Sequence, residues 1–273
     1  KLLTERITEL ESKKNLADKD YQNLATFYDL LGKETKRDSV KKIALEKFPK
    51  GSTAKQGMIS EFFKEKNTNK LKEILEDFKL SYGSGSRDTD MMLSILANKY
   101  SSSGNYKAFA EYADQISDKS RKASLYNNVA WQLAEKGENL EFADKISKES
   151  LDIMRSLEND PASKPNYFSK NQYRNEIKSS YTMYADTYGL ILFKEGKKEE
   201  ALKYQEEALG ENKMGSPEVN ERYAQFLLAN KKPKEAQQAA SRYIANNQYT
   251  PKLKEYLKEA YTTNEGSSKG YND

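Results

Sequence analysis

The chain has 273 residues, of which 36% are hydrophobic and 32% are charged, with a net charge of +4 and a mean hydropathy of −0.96. It contains no cysteine and no histidine, which excludes thiol chemistry, disulfides, zinc sites built on these residues and histidine-dependent triads. The weak positive charge argues against nucleic-acid binding, and no apolar run reaches the roughly 18 residues that a membrane span needs. Few prolines and glycines interrupt the chain, so we expect an all-α protein. Since cysteine and histidine are missing and the carboxylates form no known motif, we expect no catalytic residue, metal site or cofactor.

Residues 1–82 show the spacing of helical hairpins. The first hairpin is indicated by small and apolar residues at helical intervals, namely Leu24, Ala25, Tyr28, Gly32 and Ala44. Residues 58–78 keep the apolar period of a helix pair but lack the small residues, and we interpret them as a degenerate hairpin. The run Gly83-Ser84-Gly85-Ser86 then predicts a flexible joint, which separates this region from a second one at residues 87–263.

The second region repeats the pattern and contains one long interruption. Two hairpins are predicted 33 residues apart, from small and apolar residues at Leu96, Ala97 and Gly104 and at Val129, Ala130 and Gly137. An insertion then runs from about residue 158 to residue 177, longer than most connections between packed helices. Its prolines and aromatic residues are Pro161, Pro165, Tyr167, Phe168 and Tyr173.

The clearest unit lies after this insertion. Gly189, Gly196, Ala201 and Ala208 follow one another at spacings of seven, five and seven residues. Gly189 and Ala208 stand where two helices would cross closely, and Gly196 stands where the first helix must turn. The pattern repeats after 35 residues, at Tyr223, Ala224, Leu227 and Ala236.

The end of the chain departs from the repeat. Thr250 as N-cap and Pro251 at the first helical position predict a cap helix that reaches Thr263. Residues 264–273 predict a linker or a disordered tail.

These small-residue spacings resemble the tetratricopeptide repeat, strongly in two units and loosely in four, over most of residues 19–247. The resemblance implies a right-handed α-α superhelix of five to six hairpins, closed by the cap helix. It also implies a concave groove, lined by the first helix of each hairpin, in which an extended peptide or a protein partner binds.

Candidate groove residues follow from the same positions. They are Asn98, Asn127, Trp131, Asp186, Leu190 and Gln225, with Met91, Ser94, Met183 and Glu221 on the same predicted face. The asparagine amides offer a donor and an acceptor to a peptide backbone, and Trp131 is either an aromatic anchor or a core residue between hairpins. The basic partners with which some family members hold a C-terminal carboxylate are missing here, so a chaperone-tail adaptor is not expected.

Aromatic residues give a second set of candidates. Tyr181, Tyr184 and Tyr188 form a stripe at helical spacing, for which we favour core packing over ligand stacking. Tyr167, Phe168 and Tyr173 in the insertion are not explained by the repeat, so they are candidate site residues, although a loop that covers the groove would need the same residues.

Two functions remain open at this point. The first is a non-catalytic scaffold that binds a protein or peptide. The alternative is a helical region that recruits substrates for, or positions, the thioredoxin-like domain of a thiol–disulfide oxidoreductase, a domain absent from this chain. It rests on the order of hairpins, cap helix and Gly-Ser tail, which is similar to the helical region that precedes this domain in some bacterial periplasmic oxidoreductases. That resemblance, and a chain that does not begin with methionine, imply a periplasmic location, with the cytoplasm as the other possibility. The sequence leaves the oligomeric state and the partner open.

Overall fold

The computed structural model describes residues 2–160 and 164–271, and these parts consist of α-helices joined by turns and connections. The described helices, in chain order, are α1 (Leu2–Glu11), α2 (Asp18–Leu30), α3 (Glu34–Lys47), α4 (Ser52–Lys64), α5 (Thr68–Tyr82), α6 (Arg87–Ser102), α7 (Tyr106–Ala113), α8 (Lys119–Lys136), α9 (Leu140–Glu158), α10 (Lys170–Lys194), α11 (Lys198–Ala208), α12 (Pro217–Ala229), α13 (Pro233–Ala245) and α14 (Pro251–Glu265). None of them is both long enough and apolar enough to cross a membrane. Their contacts form two compact units, Lys1–Ser117 and Asp118–Asp273.

The first unit consists of α1 and three helical hairpins, α2/α3, α4/α5 and α6/α7. Helix α1 precedes the predicted hairpins and buries Ile7 and Leu10 against Leu24 and Tyr28 of α2. In the hairpin that lacks the small residues, Phe62 and Phe78 are almost completely buried. This hairpin is therefore packed by large apolar side chains, whereas the other hairpins have small residues at the corresponding positions.

The predicted joint at residues 83–86 lies inside the first unit. The hydroxyl of Thr89 donates a hydrogen bond to the Gly83 carbonyl, and the hydroxyl of Ser86 caps α6 by accepting from the Thr89 N–H. Gly83 and Gly85 have positive φ, so the glycines form a tight turn between α5 and α6. The boundary between the compact units falls at Ser117 and Asp118 instead, a different place from the predicted joint.

The second unit contains three further hairpins, α8/α9, α10/α11 and α12/α13, followed by α14. The predicted all-α fold of five to six hairpins with a C-terminal cap helix is confirmed, with three hairpins in each unit. The core of this unit includes Tyr184 and Tyr188, which are 5% and 6% exposed. Two members of the tyrosine stripe are therefore core residues, and Tyr181 packs beside them half-buried.

The crossing of α10 and α11 depends on Gly189. A Cβ atom at this position would lie 3.0 Å from Oε1 of Gln205 and 3.3 Å from the carbonyl oxygen of Ala201. Ala201 itself is fully buried. The two helices approach closely because both positions are small, which is the physical reason for the spacing found in the sequence.

The segment predicted as an insertion is divided between a connection and a helix. Helix α9 ends at Glu158 and α10 begins at Lys170, so residues 170–177 extend the first helix of the hairpin by two turns. Ser169 caps this extension, because its hydroxyl accepts from the Gln172 N–H while the Gln172 side chain accepts from the Ser169 N–H. Of the predicted insertion residues, Pro161 lies outside the described part of the chain.

The C-terminal helix and its cap agree with the sequence. The Thr250 hydroxyl accepts from the Leu253 N–H at 3.3 Å and donates to the Glu221 carboxylate of α12. The helix continues to Glu265, two residues into the predicted tail. Beyond it the ring of Tyr271 lies 5.6 Å from the ring of Tyr261, so this part of the tail contacts α14.

We predict that Thr250→Ala lowers the free energy of unfolding by about 1 kcal/mol, because the first turn of α14 loses its cap. Thr263→Ala is the matched control: this threonine is exposed at the other end of the same helix, and its replacement should change stability by less than about 0.5 kcal/mol. Urea unfolding followed by circular dichroism measures both. Equal stability of the two variants would contradict the capping role.

Candidate functional site

A cavity of about 880 Å³ opens in the second unit. Three first helices, α8, α10 and α12, form its walls, and the connection between α11 and α12 closes one side. The lining residues are Asn127, Asn128, Trp131, Glu135, Ser179, Thr182, Met183, Asp186, Thr187, Ala208, Leu209, Gly210, Met214, Gly215, Ser216, Glu218, Val219 and Arg222. We call this cavity the groove.

Helical spacing explains why these residues share one surface. On α8, Asn127, Trp131 and Glu135 follow one another at intervals of four residues, and on α10 Met183 and Asp186 are three residues apart. Residues three or four apart lie on the same face of a helix. The core residues Tyr184, Tyr188 and Leu192 lie on the opposite face of α10.

A buried carboxylate organises the wall of the groove. Asp186 is 6% exposed and accepts a hydrogen bond at 2.7 Å from Nε2 of Gln205 on α11. Arg222 of α12 binds the same carboxylate with two nitrogens, Nε at 2.9 Å and Nη2 at 2.5 Å. The negative charge is thus held by a bidentate pair and an amide, and the cluster ties together α10, α11 and α12.

Arg222 also connects this cluster to Trp131. The guanidinium carbon lies 5.3 Å from the centre of the indole ring, within the range of a cation–π contact. Trp131 is half-buried and lines the groove. Of the two interpretations of this residue, the structure places it at the groove wall, where one part of the ring is fixed by Arg222 and another part is open.

Asn127 has unused hydrogen-bonding capacity at the groove. The side chain lines the cavity, is only 5% exposed, and its Oδ1 atom has no hydrogen-bond partner among the described residues. An unsatisfied buried polar group costs about 1–3 kcal/mol. A ligand group that pairs with this amide would recover part of that cost.

Two carboxylates at the groove have no cationic partner in the described part of the chain: Glu135 on α8 and Glu218 on α12. The N–H of Glu218 itself and the hydroxyl of Ser216 hold the pKa of the Glu218 carboxyl below its ordinary value. Glu218 therefore carries its negative charge at neutral pH.

Several predicted groove residues lie elsewhere. Leu190 and Gln225 are half-buried on α10 and α12 and are not part of the groove wall. Asn98 is exposed on α6, in the first unit. Of the six principal candidates, the structure brings together Asn127, Trp131 and Asp186.

The aromatic residues of the predicted insertion form a separate row. The ring of Phe168 lies 4.9 Å from that of Tyr167 and 6.5 Å from that of Tyr173. Tyr167 is 81% exposed, whereas Tyr173 packs against the core of the second unit. None of the three lines the groove, so their role as site residues stays a prediction.

The sequence pattern did not indicate Arg222, Gln205 or Met214. Arg222 and Gln205 contact Asp186 across 36 and 19 residues of the chain. Tyr223 was predicted to lie on the first helix of a hairpin, and Arg222 is its neighbour in the sequence. This position was the available signal for Arg222. No comparable signal marks Met214, which lies in a connection.

No cluster of three or more acidic side chains within the described residues is arranged to hold a metal ion. Asp186 is the carboxylate deepest in the groove wall, and its oxygens are bound by Arg222 and Gln205. The arrangement offers hydrogen bonds, an aromatic surface and fixed charges, which are the elements of a binding site.

Comparisons with known proteins show distant similarity to solved structures. No protein-family model matches the chain, and no curated protein matches it. Among solved structures, the assembly chaperone of RpL4 (Acl4, residues 1–338) is 12% identical, with a TM-score of 0.37 over 97% of this chain and 90% of that one. A tetratricopeptide repeat protein from Parabacteroides merdae is 13% identical, with a TM-score of 0.31 over 89% of this chain and 98% of that one.

Proposed function

We propose that the second unit is a non-catalytic binding module that holds an extended peptide segment of a partner protein in the groove. The observation that carries the proposal is Asn127, a buried amide with an unpaired Oδ1 at the wall of an open cavity. A peptide bond offers a donor and an acceptor side by side, which match the two ends of an asparagine amide. An extended backbone presents such groups without internal hydrogen bonds.

The remaining surface supports a peptide with apolar side chains. Met183 is 57% exposed, although it is a large hydrophobic residue, and Trp131, Met214 and Val219 lie on the same cavity wall. Methionine adapts its shape to different side chains, and tryptophan is enriched where binding energy is concentrated. The rigid Asp186–Arg222 pair keeps this wall in place before the ligand arrives.

A selection from a random eight-residue peptide library, with the whole chain as bait, followed by calorimetry tests this proposal. We expect Trp131→Ala to weaken the binding of a selected peptide about 30-fold. Removing a hot-spot side chain costs about 2 kcal/mol of binding free energy, which corresponds to this factor. Asn127→Ala should weaken it about fivefold, since one hydrogen bond is worth about 1 kcal/mol.

Gln132→Ala is the matched control. Gln132 is exposed on the same helix, next to Trp131, and does not line the groove. Its replacement should leave the affinity unchanged. If the Trp131 and Asn127 variants bind as tightly as the Gln132 variant, the groove is not the binding site.

A further inference from the structure

The charges at the groove define the chemistry of its ligand. Four charged side chains line it: Glu135, Asp186, Glu218 and Arg222. Asp186 and Arg222 neutralise each other in a bidentate pair, and the guanidinium is further occupied by the Trp131 ring. The charge that remains for a ligand is therefore negative.

The two remaining carboxylates come from opposite walls. Glu135 belongs to α8 and Glu218 to α12, and α10 contacts both of these helices. The ammonium group of Lys194 is close to α8, but it donates to the backbone carbonyl of Glu135 and not to its carboxylate. Within the described residues, no ion pair engages either glutamate, although the Arg222 guanidinium, which is bound to Asp186, also attracts the Glu218 carboxylate.

An anionic ligand does not fit this surface. A peptide carboxylate, a phosphate or an acidic side chain would find the Arg222 nitrogens already bound to Asp186. It would also meet Glu135 and Glu218, and like charges placed together across an interface are strongly unfavourable. A cation, in contrast, gains attraction from both glutamates without displacing any existing contact.

Resting on the proposed function, we infer that the groove selects peptide segments that carry a lysine or an arginine next to an aliphatic residue. The basic side chain pairs with Glu135 or Glu218, and the aliphatic side chain covers Met183 and the open part of Trp131. The Oδ1 atom of Asn127, which has no hydrogen-bond partner among the described residues, accepts from a peptide N–H between them once the side chain turns toward the groove. The groove then recognises the peptide by its charged side chain, its apolar side chain and its backbone.

Three synthetic peptide pools test the inference. Each pool consists of octapeptides with an acetylated N-terminus and an amidated C-terminus. One central position is lysine in the first pool, norleucine in the second and glutamate in the third, and the pools do not differ otherwise. We expect the whole chain to retain the lysine pool about twofold to fivefold better than the norleucine pool, since one partly exposed ion pair contributes up to about 1 kcal/mol. The glutamate pool should be retained least.

Glu135→Gln combined with Glu218→Gln should abolish the preference for lysine, so that the lysine and norleucine pools are retained equally. The control is Glu199→Gln combined with Glu200→Gln, which changes the net charge equally on an exposed part of α11 outside the groove. This control should keep the preference. A preference for lysine should also decline as salt is raised, because exposed charges are screened.

The outcomes separate the two proposals. Equal retention of the three pools, or a lysine preference that survives Glu135→Gln with Glu218→Gln, would overturn the inferred selectivity and leave peptide binding intact. Retention of none of the pools by the unaltered chain would overturn the proposed function itself.

Discussion

Replacing Phe226 by alanine should lower the free energy of unfolding of the second unit by about 3–5 kcal/mol. Phe226 is fully buried, and its ring stacks on Phe193 with the ring centres 4.2 Å apart and the planes 9° apart. The substitution removes this contact between α10 and α12 and leaves a cavity that the surrounding helices cannot close. The loss is therefore the transfer energy of a buried aromatic ring together with the cost of the cavity.

Urea unfolding measures this loss, with the emission of Trp131 as the probe. Trp131 is the single tryptophan of the chain and lies in the second unit, so its emission follows that unit. Tyr167→Ala is the matched control, because Tyr167 is 81% exposed in the same unit and its loss should cost less than about 0.5 kcal/mol. Similar midpoints for the two variants would contradict the packing described for α10 and α12.

Replacing Arg222 by methionine should cost about 3 kcal/mol, the lower end of the range for breaking a buried ion pair. The carboxylate of Asp186 is buried and would lose two of its hydrogen-bond donors, keeping only Gln205. The lower end applies because the Arg222 side chain is 18% exposed, which allows water to reach the site in its absence. Circular dichroism in urea provides the measurement.

A double-mutant cycle separates the ion pair from the packing. Asp186→Asn removes the charge but keeps the size of the side chain, so Arg222→Met should be much less harmful in its presence than alone. The difference is the coupling energy of the pair. Additive losses in the cycle would mean that Arg222 acts through its contact with Trp131 and not through Asp186.

The fold could be predicted from the sequence where close packing requires a small residue. Gly189 was predicted to stand at the crossing of α10 and α11 together with Ala208, and the structure places the Ala201 carbonyl, not Ala208, against Gly189, where a larger side chain would meet the backbone of α11. Thr250 and Pro251 predicted the start of α14 by local chemistry alone. Such signals are short-range, so they can be recognised in a single sequence.

The insertion shows how a local signal can be missed. Its prolines and aromatic residues suggested an irregular segment up to residue 177, whereas the helix begins at Lys170. Ser169 and Gln172 have the spacing of a capping box, with the two side chains satisfying each other's backbone N–H groups. This pair was visible in the sequence and indicates the true start of α10.

The groove could be predicted in part. The positions of the repeat that the chain resembles placed Asn127 and Trp131 on the predicted groove face, and the structure puts both at the cavity. The role of Asp186 could not be predicted, because its partners Arg222 and Gln205 come from other helices and no local pattern reports such a pairing. Asp186 was expected to face a ligand, and it instead holds the wall together.

The resemblance to the helical region of a thiol–disulfide oxidoreductase stays a prediction, as does the periplasmic location that it implies. Both depend on a domain that is not part of this sequence. In either setting the groove is the same, because all of its lining residues belong to the second unit.

The most direct test of the account is the emission of Trp131 during titration with a peptide selected from the random library. Trp131 is the single tryptophan and lies at the groove wall beside Arg222, so a peptide without tryptophan that enters the groove must change its environment. We predict a saturable change in emission whose midpoint equals the dissociation constant from calorimetry. Calorimetric binding with no change in emission would place the ligand elsewhere and contradict the central claim.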